Sequence, residues 1–304
     1  IGVGGMGWHD LNKFKSHPDV DIVAICDVDE KHLKRAAEAL PNAKTYSDWR
    51  ELFKNEANAF DAVNVSVPDH NHFAICFQAI QLGKHVYCQK PMCHDVAEIR
   101  VLTEAASKAG IVSQLGTQHA SGLGDRTGVQ WIKEGHIGKI KNVYLCSNRP
   151  GATEAYRYKG PRPATGENPP PTLNWDLWVG TAPMRPYSPT IYHPSKWRAW
   201  QDFGTGWSGD IGCHIFDAVW KGMGLTAPLS VQARVQESWQ QSPERMGDTW
   251  PQSNHITWIF PGNELTASDT VQVEWFDGEF YPPEDVRALF SLSDYPAESA
   301  MLVG

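Results

Sequence analysis

From Ile1 to about Gln118, short β-branched runs alternate with longer stretches in which apolar residues recur every three or four positions. The runs at 22–26, 62–67, 85–88 and 112–115 predict strands, and the periodic stretches at 6–15, 30–40, 73–82 and 96–109 predict helices, with Gly83 and Gly110 as helix stops. Strand and helix in strict alternation imply stacked βαβ units and a doubly wound parallel sheet. After residue 143 the pattern changes. Residues 150–194 hold ten of the 21 prolines, which excludes regular helix or central strand and predicts a long ordered loop or a linker. Six of the 13 tryptophans lie between Trp175 and Trp220, and such amphipathic rings in irregular chain are expected to wall a binding cleft. Beyond them, runs at 231–237, 255–260 and 272–275 follow one another without intervening helices and predict a mostly antiparallel sheet. The expected architecture is α/β: a parallel-sheet domain over 1–118, then an α+β domain with an open, mostly antiparallel sheet over 119–304. No internal repeat is evident.

Composition narrows the function classes. A chain of 304 residues is long enough for two buried cores, and 41% hydrophobic with 20% charged residues is ordinary for a globular protein. The net charge of −8, without a basic cluster able to track a phosphate backbone, argues against a nucleic-acid partner. The apolar stretches fall short of a bilayer span. Cys26, Cys76, Cys88, Cys93, Cys146 and Cys213 form no C-x-x-C pair and read as reduced, mostly buried thiols. The chain opens on Ile1 directly before a glycine turn, so the natural start is expected upstream and the compartment is not legible; a cytoplasmic location is the default.

Three segments carry chemistry. Gly2-Val3-Gly4-Gly5-Met6-Gly7 fits G-x-G-x-x-G between a strand and a helix, where glycines permit a tight turn, approach of the backbone to a pyrophosphate, and close helix–strand packing. The strand at 22–26 ends in Asp27, about 20 residues past the last glycine, where a carboxylate meets ribose hydroxyls. Val28 and Asp29 follow in place of an arginine, which favours NAD over NADP. At 65–72, Val-Ser-Val-Pro-Asp-His-Asn-His closes the next strand at the edge where open α/β sheets bind ligands; His70 there reads equally as a solvated loop residue or a cofactor contact. At 83–91, Gly-Lys-His-Val-Tyr-Cys-Gln-Lys-Pro sets Lys90 at a strand end, before a proline that cannot continue the ladder. A lysine there can polarise a reacting hydroxyl or carbonyl, or it is an ordinary surface lysine before a turn.

Together these segments resemble the Gfo/Idh/MocA family, named for glucose-fructose oxidoreductase and inositol dehydrogenase, and the resemblance runs along nearly the whole chain. Its signature Glu-Lys-Pro stands here as Gln89-Lys90-Pro91, an amide replacing the acid. The resemblance implies an N-terminal Rossmann domain and a C-terminal domain for substrate binding and oligomerisation that continues beyond Gly304. It implies cofactor contacts from Gly2, Gly4, Gly5, Met6, Gly7, Asp27, Ser66, Val67, Pro68, His72, Gln89, Lys90 and Gln118. It further implies that Asp210-x-x-x-His214 is the family's D-x-x-x-H element. From spacing alone, Asp210 would cap a helix starting near it and His214 would be a core histidine, with Asp217 one turn on. The resemblance reverses that reading: Lys90 polarises the reacting oxygen, His214 serves as acid/base, Asp210 orients the substrate, and Trp197 and Arg198 help bind it. The expected activity is hydride transfer between NAD(H) and a secondary hydroxyl of a sugar, glycoside or cyclitol, in a homodimer or homotetramer. Two rivals are an NAD-retaining glycoside-cleaving enzyme of the same family and a non-catalytic sugar-binding relative. The Trp197-to-Gly206 segment resembles a branch some of whose members carry twin-arginine export signals, which makes a periplasmic location the alternative. Metal chemistry has little purchase, since His70-x-His72 and Asp210-x-x-x-His214 supply two ligands each with no third at a diagnostic spacing.

Overall fold

The computed structural model describes residues 1–148, 161–189, 191–290 and 295–304, so part of the proline-rich stretch lies outside the described residues. The chain forms two compact units: Ile1–Gly116 with Pro163–Trp197 and Asp202–Gly204, and Thr117–Arg162 with Arg198–Gln201 and Thr205–Gly304. A single boundary after residue 118 therefore does not describe the division, because most of the proline-rich stretch joins the first unit.

The first unit runs α1 (Gly5–Lys15), β1 (Ala24–Cys26), α2 (Glu30–Ala39), β2 (Lys44–Tyr46), α3 (Trp49–Glu56), β3 (Ala62–Val65), α4 (His72–Gln81), β4 (His85–Gln89), α5 (Val96–Ala109) and β5 (Ser113–Gly116). All strand pairings are parallel: β1 with β2, and β3 with β4 with β5. Residues 1–3 lie between these groups, since Gly2 N–H donates to Cys26 O at 2.8 Å and Ser66 N–H to Ile1 O at 2.9 Å. The strand ends thus line up along one carboxyl edge. Local chemistry fixes the helix ends: Asp29 and Asp48 accept from the backbone of Lys31 and Arg50, and Asp95 with Glu98 makes a full capping box. Gly110 closes α5 in the left-handed conformation. Cys26, Val63, Val65, Ile75, Val86 and Cys88 lead the core under the sheet.

The described residues from 163 onward in this stretch belong to the first unit and pair with its backbone. Glu30 N–H donates to Thr172 O at 2.8 Å and Asn174 N–H to Val28 O at 2.9 Å. One short helix, α7 (Trp175–Val179), carries Trp175 and Trp178 stacked at 4.8 Å. The expectation that these tryptophans wall a cleft is corrected. Trp175, Trp178, Trp197, Trp200 and Trp207 are all buried and only Trp220 is exposed, so the rings build core. His70 is buried in this packing, with Nδ1 3.3 Å from Phe203 O, Nε2 3.0 Å from Val179 O, and its ring 4.9 Å from that of Phe203. The solvated-loop reading of His70 fails, and its ring belongs to the packing of the 163–204 segment.

Burial lowers the His70 pKa from 6.5 to about 4, against the opposing carbonyl hydrogen bonds. A ring neutral when folded takes up its proton only when unfolded between those values, so its share of stability is present above pH 6.5 and lost as pH falls toward 4. That share is of order 3 kcal/mol. Urea unfolding across pH 4–7 is expected to give a midpoint that falls more steeply in wild type than in His70→Gln; equal slopes would assign the acid sensitivity elsewhere.

The second unit contains α6 (Leu123–Lys133), β6 (Asn142–Ser147), α8 (Gly206–Met223), β7 (Ser230–Val235), α9 (Glu237–Gln240), α10 (Pro243–Met246), β8 (Asn254–Pro261), β9 (Thr270–Asp277), α11 (Glu284–Arg287) and β10 (Glu298–Val303). Its sheet has the order β10-β6-β9-β8-β7; β6 and β9 pair in parallel and the other neighbours antiparallel. The sheet is therefore mixed, and two short helices interrupt the expected helix-free run between β7 and β8. Val143, Leu145, Val271, Val273 and Trp275 point from one sheet face onto Trp207, Ile211, Val219 and Met223 of α8 and Ile132 of α6. The opposite face is not bare apolar surface: Gln232, Thr257 and Glu274 stand on it, and its apolar end, with Tyr144, Cys146 and Phe276, packs against Phe280, Val286 and Tyr295.

Candidate active site

The glycine turn has the geometry the motif demands. Gly2 has φ +77°, and a Cβ on Gly7 would collide with the Gly2 carbonyl, so the start of α1 rests on the preceding chain as only glycine allows. No side chain caps α1 and no acidic residue stands in its first turn. A Cβ on Gly5 would meet no atom within 4 Å, so the turn is open on that side. Asp27, buried just past β1, accepts from Val3 N–H at 2.8 Å and Gly4 N–H at 3.2 Å through one oxygen and from Asp29 N–H at 2.8 Å through the other. Burial opposes ionisation of Asp27, but His32 and these backbone donors outweigh it and leave the carboxyl below its usual range. His32, 3.8 Å away, is correspondingly raised by Asp27. An uncapped glycine turn with a hydrogen-bonded carboxylate at its side suits a dinucleotide: pyrophosphate on the turn, ribose hydroxyls at Asp27.

At the carboxyl ends of β3 and β4 the other expected cofactor residues gather. The Ser66 hydroxyl donates to Asp10 at 2.7 Å, and Gln89 Nε2 donates to the same Asp10 oxygen at 2.8 Å. Val67 O lies 2.9 Å from Nε2 of His72, whose Nδ1 lies 2.7 Å from Pro91 O. His72 is fully buried with both ring nitrogens on backbone carbonyls, and burial lowers its pKa. Lys90 is half-buried in the turn between Gln89 and Pro91.

In the second unit, α8 begins at Gly206 with Thr205 at its N-cap position, so Asp210 lies within the helix and does not cap it. Asp210 is buried, and its Oδ2 accepts from Arg198 Nε at 3.2 Å. His214, one turn further along α8, is half-buried, and the exposed His119 meets its ring edge-to-face at 5.4 Å. Gln118 begins the short helical turn Gln118–Ser121 in this unit. Trp197 is buried in the first unit, where its backbone N–H donates to Tyr192 O at 2.8 Å. The structure thus joins Arg198 to Asp210 and places His214 beside them; Lys90 and the glycine turn belong to the other unit. Asp10 and His119 escaped the sequence reading, although Gly7, Asp10 and Leu11 share the buried face of α1, a spacing that marks Asp10 as an inward-facing acid. Among the described residues, no three His, Cys, Asp or Glu side chains gather as a metal site. No helix among them is long and apolar enough to cross a membrane.

Comparison with known proteins places these features in a family. Residues 1–117 match the NAD-binding Rossmann domain of the Gfo/Idh/MocA oxidoreductases, and residues 129–259 match that family's C-terminal α/β domain. The chain belongs to the Gfo/Idh/MocA oxidoreductase family. A myo-inositol 2-dehydrogenase from Thermotoga maritima is 27% identical over 150 residues, 49% of this chain and 44% of that protein. A D-glucoside 3-dehydrogenase from Escherichia coli is 27% identical over 122 residues, 40% of this chain and 34% of that protein. The aligned part spans less than half the length of either. The WlbA dehydrogenase from Bordetella pertussis, solved in complex with NADH and UDP-GlcNAcA, shares the fold with a TM-score of 0.65 at 16% identity, covering 93% of this chain and 70% of that one.

Proposed function

We propose that the protein transfers hydride between NAD(H) and a secondary hydroxyl of a sugar, glycoside or cyclitol. The observation that carries this reading is the carboxyl edge of the first unit, where a glycine turn without a side-chain cap, the Asp27 carboxylate and Lys90 stand at strand ends. When bound, the dinucleotide supplies the hydride acceptor or donor. The chain's own residues do the rest: the Lys90 ammonium stabilises negative charge developing on the substrate oxygen, and His214 takes the hydroxyl proton in oxidation and returns it in reduction. Asp210, neutralised by Arg198, holds the adjoining turn of α8 and orients the substrate. The named activities of the relatives from Thermotoga maritima and Escherichia coli support a cyclitol or glycoside as substrate class. The test is a panel of sugars, glycosides and cyclitols incubated with the protein and NAD, read by NADH absorbance. Turnover on one of them is expected. Aglycone release with no net NADH would assign the oxidation–elimination chemistry instead, and silence on the whole panel with NAD bound would sink the reading.

NAD is the proposed dinucleotide. Asp27 would face the ribose hydroxyls, Asp29 follows it in the chain, and the guanidinium of Arg35 lies over the Trp8 ring at 4.0 Å. A 2′-phosphate would meet a carboxylate there. Calorimetry is expected to give tighter binding of NAD than of NADP, with Asp27→Ala narrowing the gap; equal affinities in wild type would refute the assignment.

We also propose a homo-oligomer, a dimer or tetramer, pairing through the outer face of the second unit's sheet. Strand β7 forms the sheet edge, and half-buried Ile259 stands on that outer face between Ser230 and Gln272. Light scattering at micromolar concentration is expected to return a multiple of the chain mass. Monomer alone would reject the proposal.

A further inference from the structure

Lys90 is flanked in the chain by two residues whose polar groups are locked by buried side chains of the same unit. On one side, Gln89 donates to Asp10 Oδ2 at 2.8 Å, and that oxygen also accepts the Ser66 hydroxyl at 2.7 Å. Asp10 and Gln89 are each 5% exposed. A Cβ on Gly116 would come within 2.9 Å of the Gln89 carboxamide, so the end of β5 closes the slot that holds it. On the other side, the Pro91 carbonyl lies 2.7 Å from His72 Nδ1, and the same ring reaches Val67 O at 2.9 Å. Helix α1, the start of α4 and the ends of β3, β4 and β5 therefore converge on the two residues that bracket Lys90.

We infer that Asp10 and His72 are positioning residues for Lys90, and that residues 10 and 89 form a matched pair in which position 10 carries the charge and position 89 the donor. The inference rests on the reading that Lys90 serves the reacting oxygen. A carboxylate only accepts, so its partner in a buried slot must donate, and the Gln89 amide does. A glutamate at 89 would set two carboxylates in hydrogen-bond contact away from water, where both cannot stay ionised. An asparagine at 10 facing a glutamate at 89 restores one donor and one acceptor with the charge moved across. The lysine gains a fixed backbone, since a side chain needed at a reacting atom is held by the groups that hold its neighbours. On the far side the neutral His72 ring has one N–H, which donates to the Pro91 or the Val67 carbonyl, while the buried ring packs its other nitrogen against the second.

The experiment needs neither cofactor nor substrate, so its failure is distinct from failure of the proposed function. Wild type, Gln89→Glu, the Asp10→Asn/Gln89→Glu double variant and His72→Leu are compared at pH 8 by thermal unfolding and by trace acylation of lysines, read peptide by peptide in a mass spectrometer. Gln89→Glu is expected to lower Tm by about 5 °C or more, and the double variant to recover most of that loss. The acylation rate of Lys90 relative to Lys54 is expected to change about threefold or more in Gln89→Glu and His72→Leu, and to return toward wild type in the double variant. Should His72→Leu not fold, His72→Gln, which keeps one amide donor, is read in the same way. A double variant no better than Gln89→Glu would overturn the paired assignment. Lys90 acylated at the wild-type relative rate in the His72 variant would overturn the positioning role, because general loosening of the fold moves both lysines together.

Discussion

Replacing His214 with alanine is expected to lower kcat by roughly 10²-fold or more while leaving NADH affinity unchanged. The reasoning starts at α8. Asp210 is buried and already paired with Arg198, which leaves it no role in moving a proton, whereas His214, one turn on, is half-buried and reachable. An imidazole can take a proton near neutral pH without the cost that a lysine or an unperturbed carboxylate would impose there. The glycine turn and Asp27 sit in the other unit, so truncating His214 removes nothing from the dinucleotide cradle. The check is steady-state kinetics on the substrate found by the panel, with NADH binding followed separately by fluorescence. A loss confined to kcat supports the acid/base role. Turnover within a factor of two of wild type would mean the proton travels another way, and His119, whose ring lies edge-on to His214, would be the next residue to replace.

What the sequence disclosed and what it hid follow from physical differences among the elements. Strands β3 and β4 could be read because buried Val63, Val65, Val86 and Cys88 alternate along them with less buried positions, a period of two in β-favouring residues. Strand β2, three residues with none buried, leaves no such alternation, and α3 went unread although Trp49, Leu52 and Phe53 have helical spacing. Helix α8 starts four residues before Asp210 because its first turns, Gly-Trp-Ser-Gly-Asp, contain glycines that mask a helix by propensity; burial of Trp207 and Ile211 against the sheet overrides it. Composition flagged the proline-rich stretch as irregular, but its return to the first unit depends on backbone hydrogen bonds such as Glu30 N–H to Thr172 O, which side-chain identity does not encode. Among the candidate site residues, the glycines and Asp27 are marked by motif and spacing, whereas Lys90 and His214 are singled out through the family resemblance. Asp10 is marked by neither, because an acid in a helix ordinarily reads as a solvated charge, and only the two donors aimed at it from β3 and β4 reveal its place.

Replacing Lys90 with alanine is expected to lower kcat/KM by roughly 10²- to 10³-fold, with the loss divided between a raised KM and a lowered kcat. An ammonium beside a substrate oxygen attracts its lone pairs before reaction and attracts it more strongly as negative charge develops, so its removal weakens ground state and transition state together. His214→Ala, which deletes a proton acceptor used only as the bond to hydrogen breaks, falls almost wholly on kcat, and that contrast separates the two roles. Lys90→Arg is the sharper control: the charge is kept, but a planar guanidinium that spreads it over a fork cannot place a point charge where the ammonium sat. With both neighbours of Lys90 tied down, through Gln89 to Asp10 and through the Pro91 carbonyl to His72, the backbone has little freedom to adjust to the larger head group. Lys90→Arg should therefore recover part of the KM effect and little of kcat. The measurement is a full kinetic comparison of the three variants on one substrate at saturating NAD. Lys90→Ala with unchanged KM, or Lys90→Arg with wild-type turnover, would show that the lysine does not serve the reacting oxygen.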